Sequence, residues 1–468
     1  MTENDNPSKL ETSSTSPRKW LALAVICSAQ FIYLMDVFLV NVSAPQIRAE
    51  FDNPAVLKSV FAANQVAFAS FVFLGGRLGD LYGRRRIFIL GLIGAGSAAL
   101  LATFAESPAA LISARTLQGI FGAFFIPQIM AILVTLFEKE ERALAIGVFG
   151  MVTGFGGVAG FLSGGLIVEY APSSLGWRAV FLFIGPGLIA LSALSYFLVP
   201  IASRPTTRHL KLASSFALFV TAAMIVGPVA AFGAAPIGVL LTVLAFGLIL
   251  AVLFSLFQLR QLRSHGHALI SITLARSAVF RSGLIAAFLF FLANTSFYLT
   301  TTLYLSERFG STALQLGLSY VPMGLAFIFG ARIGARRLHL VGTKAVRQGL
   351  KLQGFSLVLL GLVLGVYDSS PLALVILMIP FGFAQGHTMA PLIGLIVSSA
   401  SPEETGTASG AQQSSQQFGN ALGLSVLGSI YITVSASSGA QLSIIVSLLA
   451  LSVLTVSALL CVPRDRPQ

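Results

Sequence analysis

Apolar runs of about 20 residues recur from position 19 to position 462, separated by short connections that carry Pro, Gly or charge. A helix of that length crosses roughly 30 Å of hydrocarbon, whereas a membrane β-barrel would show alternating segments of about ten residues. The pattern predicts spans at 19–41, 57–76, 87–105, 109–133, 142–168, 179–199, 212–232, 237–258, 280–304, 313–335, 347–366, 371–398, 407–435 and 441–462. The fold class is therefore an all-α integral membrane bundle of about fourteen transmembrane helices. No connection is long enough for a sizeable soluble domain, so any chemistry has to happen in or between helices.

Composition agrees. A chain of 468 residues that is 56% hydrophobic and 10% charged, with mean hydropathy +0.87, cannot hide its apolar surface inside a water-soluble globule. The net charge of +12 does not point to nucleic acid, because the basic residues are scattered between apolar runs instead of gathered on one aromatic-interleaved face. Cys27 and Cys461 both lie in spans, which leaves neither a disulfide framework nor a CxxC metal or redox motif. Lys and Arg are retained on the cytoplasmic side of membranes. With the N-terminus inside, every basic residue falls in a cytoplasmic segment except Arg48, Lys58, Arg115, Arg178 and Arg308. Both termini are expected in the cytoplasm, with the chain in a bacterial inner membrane. The polar start, with no separate short apolar region and cleavage site before the first span, reads as a disordered tail and not as a signal peptide.

Gly75-Gly76-Arg77-Leu78-Gly79 after span 2 is echoed by Gly330-Ala331-Arg332-Ile333-Gly334 after span 10. Six spans before 199 and six after 280 are what two parallel repeats would produce. The expected organisation is a tail at 1–18, a six-helix half at 19–199, a linker with two extra spans at 200–279, a second six-helix half at 280–462 and a tail at 463–468.

The stretch Gly75-Gly76-Arg77-Leu78-Gly79-Asp80-Leu81-Tyr82-Gly83-Arg84-Arg85-Arg86 resembles the signature between spans 2 and 3 of the fourteen-span drug:proton antiporter family of the major facilitator superfamily. The resemblance extends to Asp36-Val37-Phe38-Leu39-Val40-Asn41-Val42-Ser43-Ala44-Pro45 closing span 1, Arg115-Thr116-Leu117-Gln118-Gly119 in span 4 and Trp177-Arg178 before span 6. It covers nearly the whole chain. One departure lies in span 5, where Gly160-Phe161-Leu162-Ser163-Gly164-Gly165 lacks the family's proline. The resemblance implies two six-helix repeats plus two inserted helices, rocking by alternating access, and export of small amphipathic or lipophilic compounds such as drugs, antibiotics or toxic metabolites in exchange for protons. It also implies a gate at Gly75, Arg77, Gly79, Asp80, Gly83, Arg84 and Arg85.

Asp36 is the first candidate for the coupling site. A carboxylate inside a span costs about 2.5–3.5 kcal/mol on insertion scales and commonly marks a wet cavity or proton path. It is the only one of 17 acidic residues well within a span. Counting about 1.5 Å per residue puts Asp36 about 24 Å from the inner face and Arg115 about 9 Å below the outer one, depths that agree. A cation beside Asp36 would hold it ionised, and an incoming cationic substrate or loss of water would favour its protonation. Substrate and proton then compete for one carboxylate. Alternatively the pair only locks span 1 to span 4; Asp36→Asn separates the two readings.

Asp80 with its arginines sits at the cytoplasmic rim, where it can bond a helix N-terminus or an arginine in one conformation and release it in another, or simply belong to a positive-inside turn. The span 5 glycines, among them Gly156, Gly160, Gly164 and Gly165, permit close helix contact, with bending or leak-blocking as the other possibility. Gln412, Gln416 and Asn420 form an i, i+4, i+8 polar stripe, with Gln413 and Gln417 beside them, that either lines the cavity or bonds helices together. Asn294, Thr295 and Tyr298 in span 9 are thinner cavity candidates, and Asn41 and Gln118 join them from the matched motifs. His387, near mid-membrane, either relays protons or is a satisfied neutral histidine.

No GxxxxGK[ST] loop is present, so ATP does not energise this chain by itself. One charge crossing a membrane potential gains about 2.3 kcal/mol per 100 mV, enough for a roughly fortyfold gradient. No cofactor and no metal site are expected; the expected partners are a small-molecule substrate, protons and the lipid bilayer, with the chain a monomer and nucleic acid excluded. The alternatives are a dedicated exporter of one metabolite or an uncoupled facilitator, and more remotely a non-transporting receptor. A membrane-embedded enzyme would need paired intramembrane acids or metal-ligand spacing.

Overall fold

A computed structural model describes residues 17–137, 139–200, 212–231, 235–265, 272–366, 370–401 and 404–463. Both tails beyond these bounds, most of the 201–211 linker and the cations Lys9, Arg204, Arg208, Lys211, Arg464 and Arg466 lie outside the described residues. The helices run α1 (Pro17–Val42), α2 (Ala44–Phe51), α3 (Pro54–Tyr82), α4 (Arg84–Thr103), α5 (Pro108–Leu136), α6 (Lys139–Tyr170), α7 (Arg178–Leu198), α8 (Leu212–Ala230), α9 (Ile237–His265), α10 (Ile272–Arg276), α11 (Ala278–Phe309), α12 (Ala313–Val341), α13 (Thr343–Val366), α14 (Pro371–Ser398), α15 (Thr405–Ser438) and α16 (Ala440–Cys461).

Helix is the outcome lipid requires, because it satisfies each backbone N–H and C=O within one segment. Thirteen of these helices are long and apolar enough to cross a membrane, and the shorter apolar stretch Ser214–Ala230 in α8 completes the fourteen expected spans. Their starts are marked by the chemistry of the chain. Asn53, Ser107, Ser277 and Ser370 each accept a bond from a first-turn N–H, and Thr312 forms a capping box with Gln315. Two short helices, α2 and α10, were not expected; α2 follows α1 and ends on Asp52 in the left-handed region. The face where α1 begins and α16 ends is called the terminal face below, and the opposite one the far face.

The helices pack as two similar sets. In the first, α3 lies along α5, α4 along α5 and α7, and α1 along α6 and α7; in the second, α12 lies along α14, α13 along α14 and α16, and α11 along α15 and α16. The five-residue echo has a steric cause. A Cβ added at Gly75 would fall 2.0 Å from the Ala123 carbonyl oxygen, and one at Gly330 would fall 2.0 Å from that of Phe383. Each glycine lets its helix cross the fourth span of its own set with backbones in contact. The inserted α8 rests on both α3 and α15, with Phe219, Ala222 and Val226 packed against Ala62, Val66 and Ala421.

The sets meet along two seams, α3 with α15 and α6 with α12. Gly156, Gly160 and Gly164 of α6 abut Leu34, Met35 and Leu39 of α1, so they serve packing. Gly165 turns to the other set, and a Cβ there would lie 2.7 Å from Ala313 O; one at Gly317 would lie 2.4 Å from Phe161 O. Toward the terminal face the contact loosens: at Gly154 the nearest atom is Ile328 Cγ1 at 3.4 Å, and Gly150 and Gly147 have nothing within 4 Å. The α6–α12 seam is therefore shut at the far face and parted at the terminal face.

This gradient gives a paired test. Gly165→Ala has to push α6 and α12 apart and should destabilise the purified protein by about 1–3 kcal/mol. Gly150→Ala meets open space and should be neutral or stabilising by up to about 1 kcal/mol. Melting curves in detergent micelles compare them, and equal shifts for the two variants would contradict the described seam.

Candidate functional site

Arg115 on α5 reaches across to Asp36 on α1, its Nη1 lying 3.0 Å from Oδ1 and 2.9 Å from Oδ2. The same Nη1 donates to Gln118 Oε1 at 2.6 Å, one turn along α5, and the guanidinium stands 5.5 Å over the Phe181 ring of α7. Asp36 and Arg115 are each 1% exposed. Burial removes both ions from water, a penalty that their attraction offsets only when remaining polar groups are also bonded. That condition is unmet at this site: Arg115 Nε is buried with no protein partner, as is Oδ1 of Asn64, whose amide donates to Arg115 O. Orphaned polar atoms beside a buried ion pair are what water or a polar ligand group satisfies.

The other expected site residues divide. Gln118 holds the arginine. Asn41 donates only to Val37 O in its own helix. Asn294 accepts from Gln353 and donates to Phe290 O, so it ties α11 to α13. Tyr298 joins Phe38, Phe161 and Tyr320 in an aromatic cluster between the sets, in which Phe161 stacks on Tyr320 at 4.1 Å. Phe161, standing where the resembled family has proline, thus fills the seam. On α15, Gln412 and Asn420 of the expected stripe are buried, and Asn420 accepts a bond from Thr295 of α11. Gln412 donates to Gln416 along the helix, whereas Gln417 and Asn420 form the bonded pair, and Gln417 reaches Tyr33 of α1.

His387 lies on α14 where that helix crosses α12. Its backbone abuts Gly330 and Gly334, its ring stacks on Phe383, and it lies within electrostatic reach of Arg337.

At the terminal face, Gly83 turns the chain at φ +97, a region side chains avoid, and donates to Gly79 O. Gly79 packs against Gln128, which in turn donates to Gly75 O at 2.8 Å. Asp80 pairs with Arg84 at 3.6 Å, Arg84 donates to Ala131 O, and Arg85 bonds Tyr196 O on α7. A cavity of about 340 Å³ separates this cluster from the first turn of α15, with Arg77, Asp80, Gln128, Thr405, Gly406 and Gln413 in its wall.

The far face is tied by charge. Arg48 of α2 pairs with Glu307 of α11, which also accepts from Tyr431 and Ser435, and Lys58 of α3 donates to Ser429 of α15. Within the first set, Glu50 accepts two bonds from Arg178, at 2.6 and 2.7 Å, and one from Trp177. Glu50, Glu307, Gln128, Tyr33 and Lys58 were not anticipated in these roles. A signal was available: three of the five basic residues expected at outer positions or within a span, Arg48, Lys58 and Arg178, carry these ties, and a fourth, Arg115, holds Asp36.

Two repeated helix sets, parted at one face and tied at the other, with a charged pair buried in one of them, define a polytopic membrane transporter. The chain belongs to the Major Facilitator Superfamily, whose profile matches residues 26–424. It is 30% identical over 436 residues to the puromycin resistance protein of Streptomyces alboniger, covering 88% of this chain and 82% of that protein. It is 26% identical to a tetracenomycin C resistance and export protein of Streptomyces glaucescens (91% and 79% covered) and 27% identical to a multidrug efflux pump of Mycolicibacterium smegmatis (90% and 82%). Among solved structures, a bacterial homolog of the human lysosomal transporter Spinster matches the fold at TM-score 0.70 and 15% identity, with 96% of each chain covered. The antiporter-family resemblance read from the loop signature is borne out by these relatives.

Arg178 bonding, with Trp177 assisting, holds the Glu50 carboxyl below its ordinary value of about 4.5. Stability from this bridge is complete above that value and is lost as pH falls through the lowered one. Acidification below about pH 4.5 should therefore lower the melting temperature of the wild type more than that of Glu50→Gln. The gap at neutral pH should stay within about 1 kcal/mol, because the bridge is partly exposed. Parallel melting curves across the acid range would refute this.

Proposed function

We propose that this chain exports small amphipathic or lipophilic compounds, antibiotics among them, in exchange for protons by alternating access. The observation that carries the reading is the buried Asp36–Arg115 pair with its unsatisfied polar surroundings. While Arg115 holds Asp36, the carboxylate stays ionised; a substrate cation that displaces the guanidinium, or a proton that neutralises the acid, dissolves the pair. Either event leaves Arg115 seeking another partner, so binding at this point changes what the surrounding helices can bury. The relatives' names support antibiotics and other drugs as cargo.

In this reading the terminal face is cytoplasmic, both termini lie inside, and the state described is open to the cytoplasm and closed outside. Substrate enters from the cytoplasm or inner leaflet. Rocking then closes the terminal-side cavity and brings Asp80 to the first turn of α15, where the helix dipole favours a carboxylate. Release outside is followed by proton uptake at Asp36, and the proton leaves inward. A single chain suffices, and no cofactor enters.

A dedicated exporter of one compound is the second reading, favoured by relatives named for puromycin and tetracenomycin C. A panel of cationic and neutral dyes and antibiotics separates it from broad efflux.

In everted vesicles with an acidified lumen, adding substrate should release protons in proportion to substrate uptake. Asp36→Asn should lower both by at least about tenfold, the order of losing a charge-assisted interaction, while membrane insertion measured by expression level is retained. Substrate uptake at the wild-type rate in Asp36→Asn would sink the mechanism.

A further inference from the structure

The charged pair lies wholly within one set, yet two side chains of α1 that bracket Asp36 reach the other set. Phe38 meets Tyr298 of α11 edge-on at 5.5 Å. Tyr33, one turn toward the terminal face, accepts a bond from Gln417 Nε2 of α15 at 3.2 Å. The bond continues as a chain: Asn420 Nδ2 donates to Gln417 Oε1 at 2.8 Å, and Thr295 Oγ1 of α11 donates to Asn420 Oδ1. Both routes thus end on neighbouring turns of α11, at Thr295 and Tyr298.

Tyr33 is half-buried, its ring fixed between Phe68 at 5.6 Å and Phe125 at 5.8 Å. Its hydroxyl accepts from Gln417, but no acceptor takes its own proton among the described residues. Residues three apart on a helix share a face, so that O–H stands on the Asp36 side of α1, and it lies close enough to feel both Asp36 and Arg115.

We propose that Tyr33 is a positioning residue: its hydroxyl, held by Gln417, conveys the state of the Asp36–Arg115 pair across the seam to α15 and α11. The inference rests on the antiport reading above. When Arg115 leaves Asp36, the unspent Tyr33 O–H is the neutral donor nearest along the helix, and turning to Asp36 loosens its alignment with Gln417. Tyr33 keeps its proton throughout and changes only its acceptor. Loosening that bond frees α1 from α15, which links occupancy of the charged site to movement of the sets. Gln413, one turn from Gln417, lines the terminal-side cavity, so the same helix face joins this bond to the gate.

The test uses Tyr33→Phe, which keeps the ring packing, Gln417→Leu, and the double variant, each in everted vesicles. Each single variant should lower the maximal export rate about fivefold, the size of one net hydrogen bond, with KM within about twofold and fewer protons released per substrate. The double variant should be no worse than either single one. Wild-type rate and stoichiometry in both single variants, or losses that multiply in the double, would overturn the proposal. Melting curves confirm folding, and Gln417→Leu decides the matter if Tyr33→Phe proves unstable. A wild type that releases no protons on substrate addition sinks the antiport reading itself; proton release present in the wild type and unchanged in the variants sinks only this proposal.

Discussion

Opposite charges can remain in a hydrocarbon layer only by remaining together, and the arrangement of the first helix set follows from keeping Asp36 against Arg115. The pair needs α1 and α5 at hydrogen-bonding distance, with α7 supplying the Phe181 ring beneath the guanidinium. It also needs α5 drawn close to α3, which the crossing at Gly75 and the contact of Gly119 with the Asn64 backbone provide. Because both charges belong to one set, the proposed rocking of the sets would not pull this ion pair apart in lipid, a separation that would cost several kcal/mol. The chemistry and the movement are thereby kept on different contacts.

Most of the other charges obey the same constraint, the exception being the buried Lys58, which donates across the seam to Ser429. Ties that the proposed rocking would break, such as Arg48–Glu307, sit at a rim where water can replace the departing partner, so their net worth is modest and their exchange cheap. Asp80 and Arg84 stand at the opposite rim, each about one-third exposed, facing the cavity. Between the rims the sets touch through neutral groups: the aromatic cluster around Phe161, the Ser414 bond to Ala69 O and the Tyr33–Gln417 bond. A neutral bond of this kind is worth about 1 kcal/mol net, small enough to be broken in each cycle.

Much of this was legible in the chain. Span number and order are strongly signalled because lipid leaves no alternative to a 20-residue apolar helix, and the Asp36–Arg115 meeting followed from depth alone, since two charges at one level in hydrocarbon have to find each other. Distances across the bundle were not legible. Which of the α15 amides bond across helices depends on how α15 sits against α1, α3 and α11, and the chain alone did not single out Gln417 as the one that reaches Tyr33. Asn294 looked like a cavity residue because sequence cannot tell an amide facing water from one facing Gln353.

The inserted pair is the element with least chemistry and the most exposed position, and its packing is consistent with both. α8 leans on α3 and α15 together, across the seam between the two sets. Its packing surface is built of Ala222, Val226 and Phe219 against Ala62, Val66 and Ala421, short or flat apolar groups without interlocking charge. Its bond to that seam runs from the Ser429 hydroxyl to a backbone oxygen, Val229 O. A surface of small apolar residues can slide at little cost, because the dispersion attraction given up at one position is recovered against a similar group a fraction of a turn away. Under the proposed rocking, an insertion at the midpoint of the chain is thus tolerated as long as it lies over the seam without locking it.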